Sequence, residues 1–196
     1  YFTEFWPSDN TDPIERLFIQ WGFSQVFPAK TMCAHVTTWN KNSSVKFRTD
    51  VAMMCKLGFD IKLADMSKDD ETYCRTAVQN YNRLKPVVLE GDMYRLVSPY
   101  GSNHTSTMYV GKDKDKAVVF AFDIHPRYAE KTLPVRLQGL DADKMYRVKE
   151  INLMPGANSS LSGNGEVFSG EFLMNVGLNL FTAQQLNSRV IEVVAE

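Results

Sequence analysis

Residues 6–16 read WPSDNTDPIER and set three carboxylates, Asp9, Asp12 and Glu15, at three-residue intervals directly after the apolar run YFTEF. A carboxyl group does one of two kinds of work at such a junction. Held over a reacting bond it gives and takes protons; placed before a helix it accepts the unpaired N–H groups of the first turn. Asp12-Pro13-Ile14-Glu15 has the grammar of the second kind. Asp12 suits the N-cap, Pro13 the first helical position, and Glu15 the third, from which it can reach back to the N–H of the cap. Arg16, four residues beyond Asp12, is within reach of the Asp12 carboxylate. These three residues are expected to support the junction structurally. Asp9 falls before the cap, in the loop that follows a strand, where an α/β barrel places its catalytic side chains. Its alternative is an ordinary turn aspartate. Trp6 is expected to offer an apolar platform beside it, suited to a sugar face.

The elements that must position these residues alternate through the first half. YFTEFW reads as a strand. DPIERLFIQWG places Ile14, Leu17, Phe18 and Trp21 on one helical face and is expected to stop at Gly22. FPAKTMCAHVTT is a second strand, FRTDVAMMCKLG a short helix ending at Gly58, and FDIKLA a third strand. A long helix follows, with capping-box spacing at Ser67 and Asp70 and an apolar stripe from Tyr73 to Leu84, running up to Pro86. After residue 91 the pattern changes to seven short strand-like runs, DMYRLVSP, STMYVGKD, KAVVFAFDIH, LPVRLQG, KMYRVKEINL, EVFSGEFLMNVGL and SRVIEVVAE, separated by polar turns. The expected division is therefore an α/β unit over 1–90 and an antiparallel β-sandwich over 91–196. Three strands alternating with three helices cannot close a barrel and leave edges open. The α/β unit is accordingly expected to be the last three βα units of a (β/α)8 barrel, cut from a longer protein.

Composition narrows the function. The 196 residues carry a formal net charge of −1, with no basic block to attract nucleic acid or a membrane surface. No run approaches the roughly 18 apolar residues of a membrane span. Cys33, Cys55 and Cys74 form no pairing or zinc pattern with one another or with His35, His104 and His125, so inert thiols and no metal are expected. The triplets at Asn42, Asn103 and Asn158 fit glycosylation sequons but decide nothing about compartment, which stays open.

WPSDNTDPIERLFIQWG, FPAKTMCAHVTTWN and KFRTDVAMMCKLGFDI, followed by GDMYRLVSP, HPRY, PVRLQGLDADKMYRVKEINLMPG, SGEFLMNVGL and SRVIE, resemble the bacterial α-galactosidases of glycoside hydrolase family 36 along essentially the whole chain. The resemblance implies an enzyme of three parts, an N-terminal β-supersandwich, a central (β/α)8 barrel and a C-terminal β-sandwich. It implies hydrolysis of terminal α-galactosides with retention, by double displacement between a nucleophile and an acid/base. The first aspartate of the family's S-D-N-T-D segment is the acid/base, here Asp9. No cofactor is implied, the expected partner is a small oligosaccharide, and the intact enzyme could be a homo-oligomer.

The family's nucleophile lies in a K-W-D motif, and neither that motif nor the galactose-binding C-S-x-G-G-G-R segment occurs in these 196 residues. Cys33 replaces the more usual glycine of the T-M-C-A-H-V segment. His35 is expected to position the rim, with substrate contact as its other role. A chain of this content is expected to be inactive alone. The alternative from a different class is a non-catalytic carbohydrate-binding or structural β-sandwich module.

Overall fold

A computed structural model describes residues 3–39, 42–182 and 184–196. The chain contains the closing three βα units of a (β/α)8 barrel followed by a β-sandwich. Helix α1 (Pro13–Phe23), strand β1 (Cys33–Thr37), helix α2 (Val45–Ala52), strand β2 (Lys56–Asp60) and helix α3 (Lys68–Glu90) alternate in that order. Strands β1 and β2 pair in parallel, with His35 opposite Gly58 and Thr37 opposite Asp60.

Among its described residues the YFTEFW run supplies the preceding strand position through one parallel bridge, Phe5 to Met32, with Phe5 N–H bonded to Thr31 O (2.9 Å) and Cys33 N–H to Phe5 O (3.0 Å). Its first two residues lie outside the described ones. Gly22 does not stop α1, which runs one residue further, and Gly58 lies inside β2. Nor does Pro86 end α3: the helix continues to Glu90. Proline removes the hydrogen bond to the carbonyl four residues back, and that residue, Asn82, is exposed, so water can satisfy the freed oxygen.

The second half forms one six-stranded antiparallel sheet from β3 (Asp92–Val97), β4 (His104–Val110), β5 (Lys116–Asp123), β6 (Met145–Ile151), β7 (Val167–Ser169) and β8 (Asn187–Ala195), in the order β3-β4-β5-β8-β6-β7. Tyr109, Val118, Phe120, Phe122 and Val190 face the barrel side and share one core with Phe47 of α2 and Leu84 and Val88 of α3. Met108, Val119, Tyr146, Val148 and Ile191 face the other way, where Val135, Leu137, Leu161, Leu173 and Leu178 cover them. This covering layer is thin. LPVRLQG contributes a single bridge, Val135 to Leu178. EVFSGEFLMNVGL divides into β7 and helix α4 (Gly170–Asn175), because Ser169 caps it by accepting the Phe172 N–H at 3.1 Å.

Asp50 of α2 pins the two halves together. Fully buried, it accepts hydrogen bonds from Tyr73 (2.9 Å), Lys46 (2.5 Å), Ser188 of β8 (2.7 Å) and Asn152. Two of these partners come from the sheet half, so the α/β half and the sheet share polar as well as apolar contacts.

Candidate active site

Alternation along the parallel strands sorts side chains onto two faces. Met32, Ala34 and Val36 turn toward the helices and pack with Ala52 and Cys55. Glu4, Trp6, Cys33, His35 and Lys56 meet on the opposite, inner face, in layers. In the lowest layer the Glu4 carboxylate pairs with Lys56 (2.7 Å) and accepts from the Cys33 thiol (3.5 Å). The Lys56 and Cys33 hydrogen bonds hold the Glu4 pKa below its ordinary value, whereas burial and then Glu4 raise that of Cys33. A thiol so placed stays protonated and unreactive. Burial pushes Cys55 to about 12 and Cys74 to about 11, in keeping with three free, inert thiols.

The next layer is aromatic. The rings of Trp6 and His35 lie 4.3 Å apart between centroids, and Gly58 on the neighbouring strand leaves room beside His35. Trp6 remains 53% exposed. The His35 ring is held toward its neutral form, first by burial and then by the Arg16 guanidinium, against the opposing pull of Asp60 and Asp9. Its Nδ1 and Gln20 Oε1 are both buried without a hydrogen-bond partner among the described residues, and His35 and Gln20 are among the residues lining a void of about 10 Å³. A space of that size admits one water at most.

Above this layer lies the rim. Asp12 caps α1 as expected, its Oδ1 accepting the N–H groups of Ile14 (3.0 Å) and Glu15 (3.1 Å). The N–H of the cap goes to Asn10 Oδ1 (2.9 Å) rather than to Glu15, whose side chain stays exposed. Arg16 also departs from expectation. Only 3% exposed, it donates to Ser8 O and Cys33 O, both at 3.1 Å, and makes no ion pair with Asp12. Burial lowers its pKa. It therefore staples the loop bearing Asp9 to strand β1.

Thr11 and Thr37 share a hydrogen bond of 3.0 Å, and Arg48 donates to Thr37 O. With the Arg16–Ser8 bond before Asp9 and the Thr11–Thr37 bond after it, the loop is tied on both sides of Asp9. Asp9 itself is exposed, and no described residue donates to its carboxylate. Trp6 and His35 thus lie in the layer next to the rim loop that carries Asp9, with Arg16 holding that loop from beneath and Asp12 and Glu15 set back at the start of the helix. Asp60, at the end of β2, joins them without having been singled out in the sequence. It stands second in the FDIKLA run, the strand expected from the sequence; β2 instead covers Lys56–Asp60, so the strand ends at Asp60 and presents it at the rim. Among the described residues no cluster of three or more His, Cys, Asp or Glu could hold a metal.

Comparison with known proteins follows the same division. A family profile described as Melibiase matches residues 1–91, and one described as Glycosyl hydrolase family 36 C-terminal domain matches residues 104–193. Alpha-galactosidase 2 of Hypocrea jecorina is 34% identical over 97% of this chain and 24% of its own length. The structure of the α-galactosidase AgaB of Geobacillus stearothermophilus superposes with a TM-score of 0.84 at 28% identity, over 97% of this chain and 25% of that one. A variant of AgaA from the same organism, solved in complex with raffinose, gives 0.83 at 27% identity, over 96% and 25%. The chain spans about a quarter of the length of the relatives it matches. The matches extend to fungal and bacterial proteins alike, and the chain belongs to glycosyl hydrolase family 36.

Proposed function

We propose that this chain supplies the acid/base half of a retaining α-galactosidase acting on terminal α-D-galactosides of the raffinose type, with Asp9 as the acid/base. One observation carries the reading: Asp9 and Asp60 are both exposed rim carboxylates to which no described residue donates, but Asp9 alone sits on a strand-to-helix loop locked from beneath by Arg16 and from the side by the Thr11–Thr37 bond. A general acid must reach the leaving-group oxygen and later activate water, so a rigid backbone and an uncommitted carboxyl serve it. The names of the relatives and the raffinose complex of a structural neighbour support the substrate class.

In this mechanism Asp9 protonates the glycosidic oxygen while a second carboxylate, outside these residues and about 5–5.5 Å from the Asp9 carboxyl, attacks the anomeric carbon. Asp9 then deprotonates the water that releases the sugar. Trp6 receives an apolar sugar face, and His35 supports the Trp6 ring from below. The 1–90 segment is assigned to the catalytic barrel and 91–196 to a buttressing sandwich. The isolated chain should release no aryl product from an aryl α-galactoside, and clear turnover by it would overturn the assignment of the nucleophile. In the intact enzyme, Asp9→Ala should lose far more activity on raffinose than on an activated aryl α-galactoside. Equal losses on both would remove Asp9 from the acid/base role.

A further inference from the structure

The rim carries another tryptophan, which the mechanism above leaves unused. Strand β1 ends at Thr37, and Trp39 stands two residues beyond it, 75% exposed. Leaving an indole bare forgoes the large gain of burying it. The strands on either side of β1 both belong to this chain, the YFTEFW run through the Phe5–Met32 bridge and β2 through its parallel ladder. The rim segments next to Trp39, after Trp6 and after Asp60, are therefore both present, and neither covers the ring. Among the described residues the Trp39 indole makes no ring contact and no hydrogen bond.

The backbone beneath the ring is fixed. The Trp39 N–H donates to Thr37 Oγ1 (3.4 Å), and the same hydroxyl shares a hydrogen bond with Thr11 Oγ1 of the Asp9 loop (3.0 Å). Arg48 donates to Thr37 O from the other side. Thr37 is 1% exposed, so one buried threonine ties the backbone of Trp39 to the loop that carries Asp9. On β2, Asp60 is the register partner of Thr37, exposed and with no described donor to its carboxylate. Along β1 the layers run from Cys33 through His35 and Thr37 outward to Trp39. Trp6 packs on His35, so Trp39 lies up to about 13 Å of extended chain farther toward the mouth.

We infer that Trp39 and Asp60 form the subsite for the leaving-group sugar, the indole taking the apolar C–H face of that sugar and the Asp60 carboxylate accepting its hydroxyl protons. The inference rests on the α-galactosidase reading above, in which Asp9 hands its proton to the oxygen that joins the two sugars. A site that cuts off a terminal sugar holds that sugar inside and directs the rest of the substrate through the mouth. The bridging oxygen must lie at the Asp9 carboxyl, so the leaving sugar is confined to the adjoining rim, where Trp39 and Asp60 stand. Ring and carboxylate supply the two kinds of contact a sugar requires, a flat apolar surface and a placed hydrogen-bond acceptor.

Paired substrates test the subsite in the intact enzyme. Raffinose has a sucrose unit as its leaving group, whereas α-galactosyl fluoride releases only a fluoride ion. Trp39→Ala should lower kcat/KM for raffinose about tenfold or more, and about fivefold or more beyond any loss on the fluoride, with most of the change in KM. Trp39→Phe keeps a ring and should recover most of that loss. Asp60→Asn should lose selectively on raffinose to a smaller extent. Because the indole is exposed, Trp39→Ala should keep the thermal midpoint of the parent, which separates lost recognition from lost folding. Parallel losses on the two substrates in Trp39→Ala, or no loss on raffinose, overturn the inference, and parallel losses in Asp60→Asn remove Asp60 from the subsite. A parent enzyme that hydrolyses neither substrate overturns the α-galactosidase reading itself, and the subsite falls with it.

Discussion

Two aspartates 41 residues apart illustrate opposite uses of the same side chain. Asp9 stands exposed on the barrel rim with no described donor, on a loop whose backbone is tied at several points. Asp50 is fully buried and takes donors from Tyr73, Lys46, Ser188 and Asn152. The difference lies in what has been left unsatisfied. A carboxylate saturated by the fold can do no chemistry without breaking the fold, whereas one held in place only through its backbone can exchange a proton at little structural cost. Thr11, Asn10 and Arg16 keep the Asp9 loop rigid while leaving the carboxylate uncommitted.

The comparison breaks most visibly at Asp9. In the intact enzyme, Asp9→Ala should lower kcat/KM for raffinose by roughly 10²–10⁴-fold, the range of a lost general acid, and leave the thermal midpoint unchanged. A fall in stability comparable to that of a core variant would mean Asp9 is structural after all. Asp50→Ala should show the reverse pattern. It strands Lys46 and removes the acceptor of a buried network, at a cost of about 3–5 kcal/mol, to be read from denaturant unfolding. A loss under about 1 kcal/mol would show that the junction tolerates an unpaired cluster and that the two halves are less coupled than their shared contacts indicate.

Asp12 falls between these extremes, and shows how far the sequence reaches. Its cap was legible because the capping bonds span two or three residues, and residue order alone fixes such bonds. The destination of Arg16 was not legible, since Cys33 O comes near only once β1 has folded against α1. For the same reason the Asp50 network, which reaches Asn152 and Ser188 across more than a hundred residues, left no local pattern. The sheet strands were readable from alternation, except where a covering segment is extended without pairing, as at LPVRLQG, or where a capping serine starts a helix, as at Ser169. On capping grounds Asp12→Ala should cost roughly 1 kcal/mol while most activity survives. Complete inactivation at unchanged stability would move Asp12 from the helix to the chemistry.

The smallest effect concerns His35, where rim and fold meet. Burial, and behind it Arg16, depress its pKa in the folded protein. The unfolded chain therefore takes up this proton first as the pH falls. The contribution of His35 to stability is whole above the unfolded value near 6.5, shrinks below it, and is lost once the pH has passed through the lowered folded value. Removing the ring with His35→Gln should thus flatten the stability profile below about pH 6.5 and leave its slope above about pH 7.5 unaltered. Asp123 leaves a different signature. Its raised pKa makes its contribution greatest in acid and diminishing as the pH rises, so the two residues tilt the profile in opposite senses. A profile in His35→Gln that stays parallel to the parent through the acid range would show that the ring gains its proton as readily in the folded barrel as in the unfolded chain. The opposing carboxylates Asp9 and Asp60 would then outweigh both burial and the guanidinium beneath them.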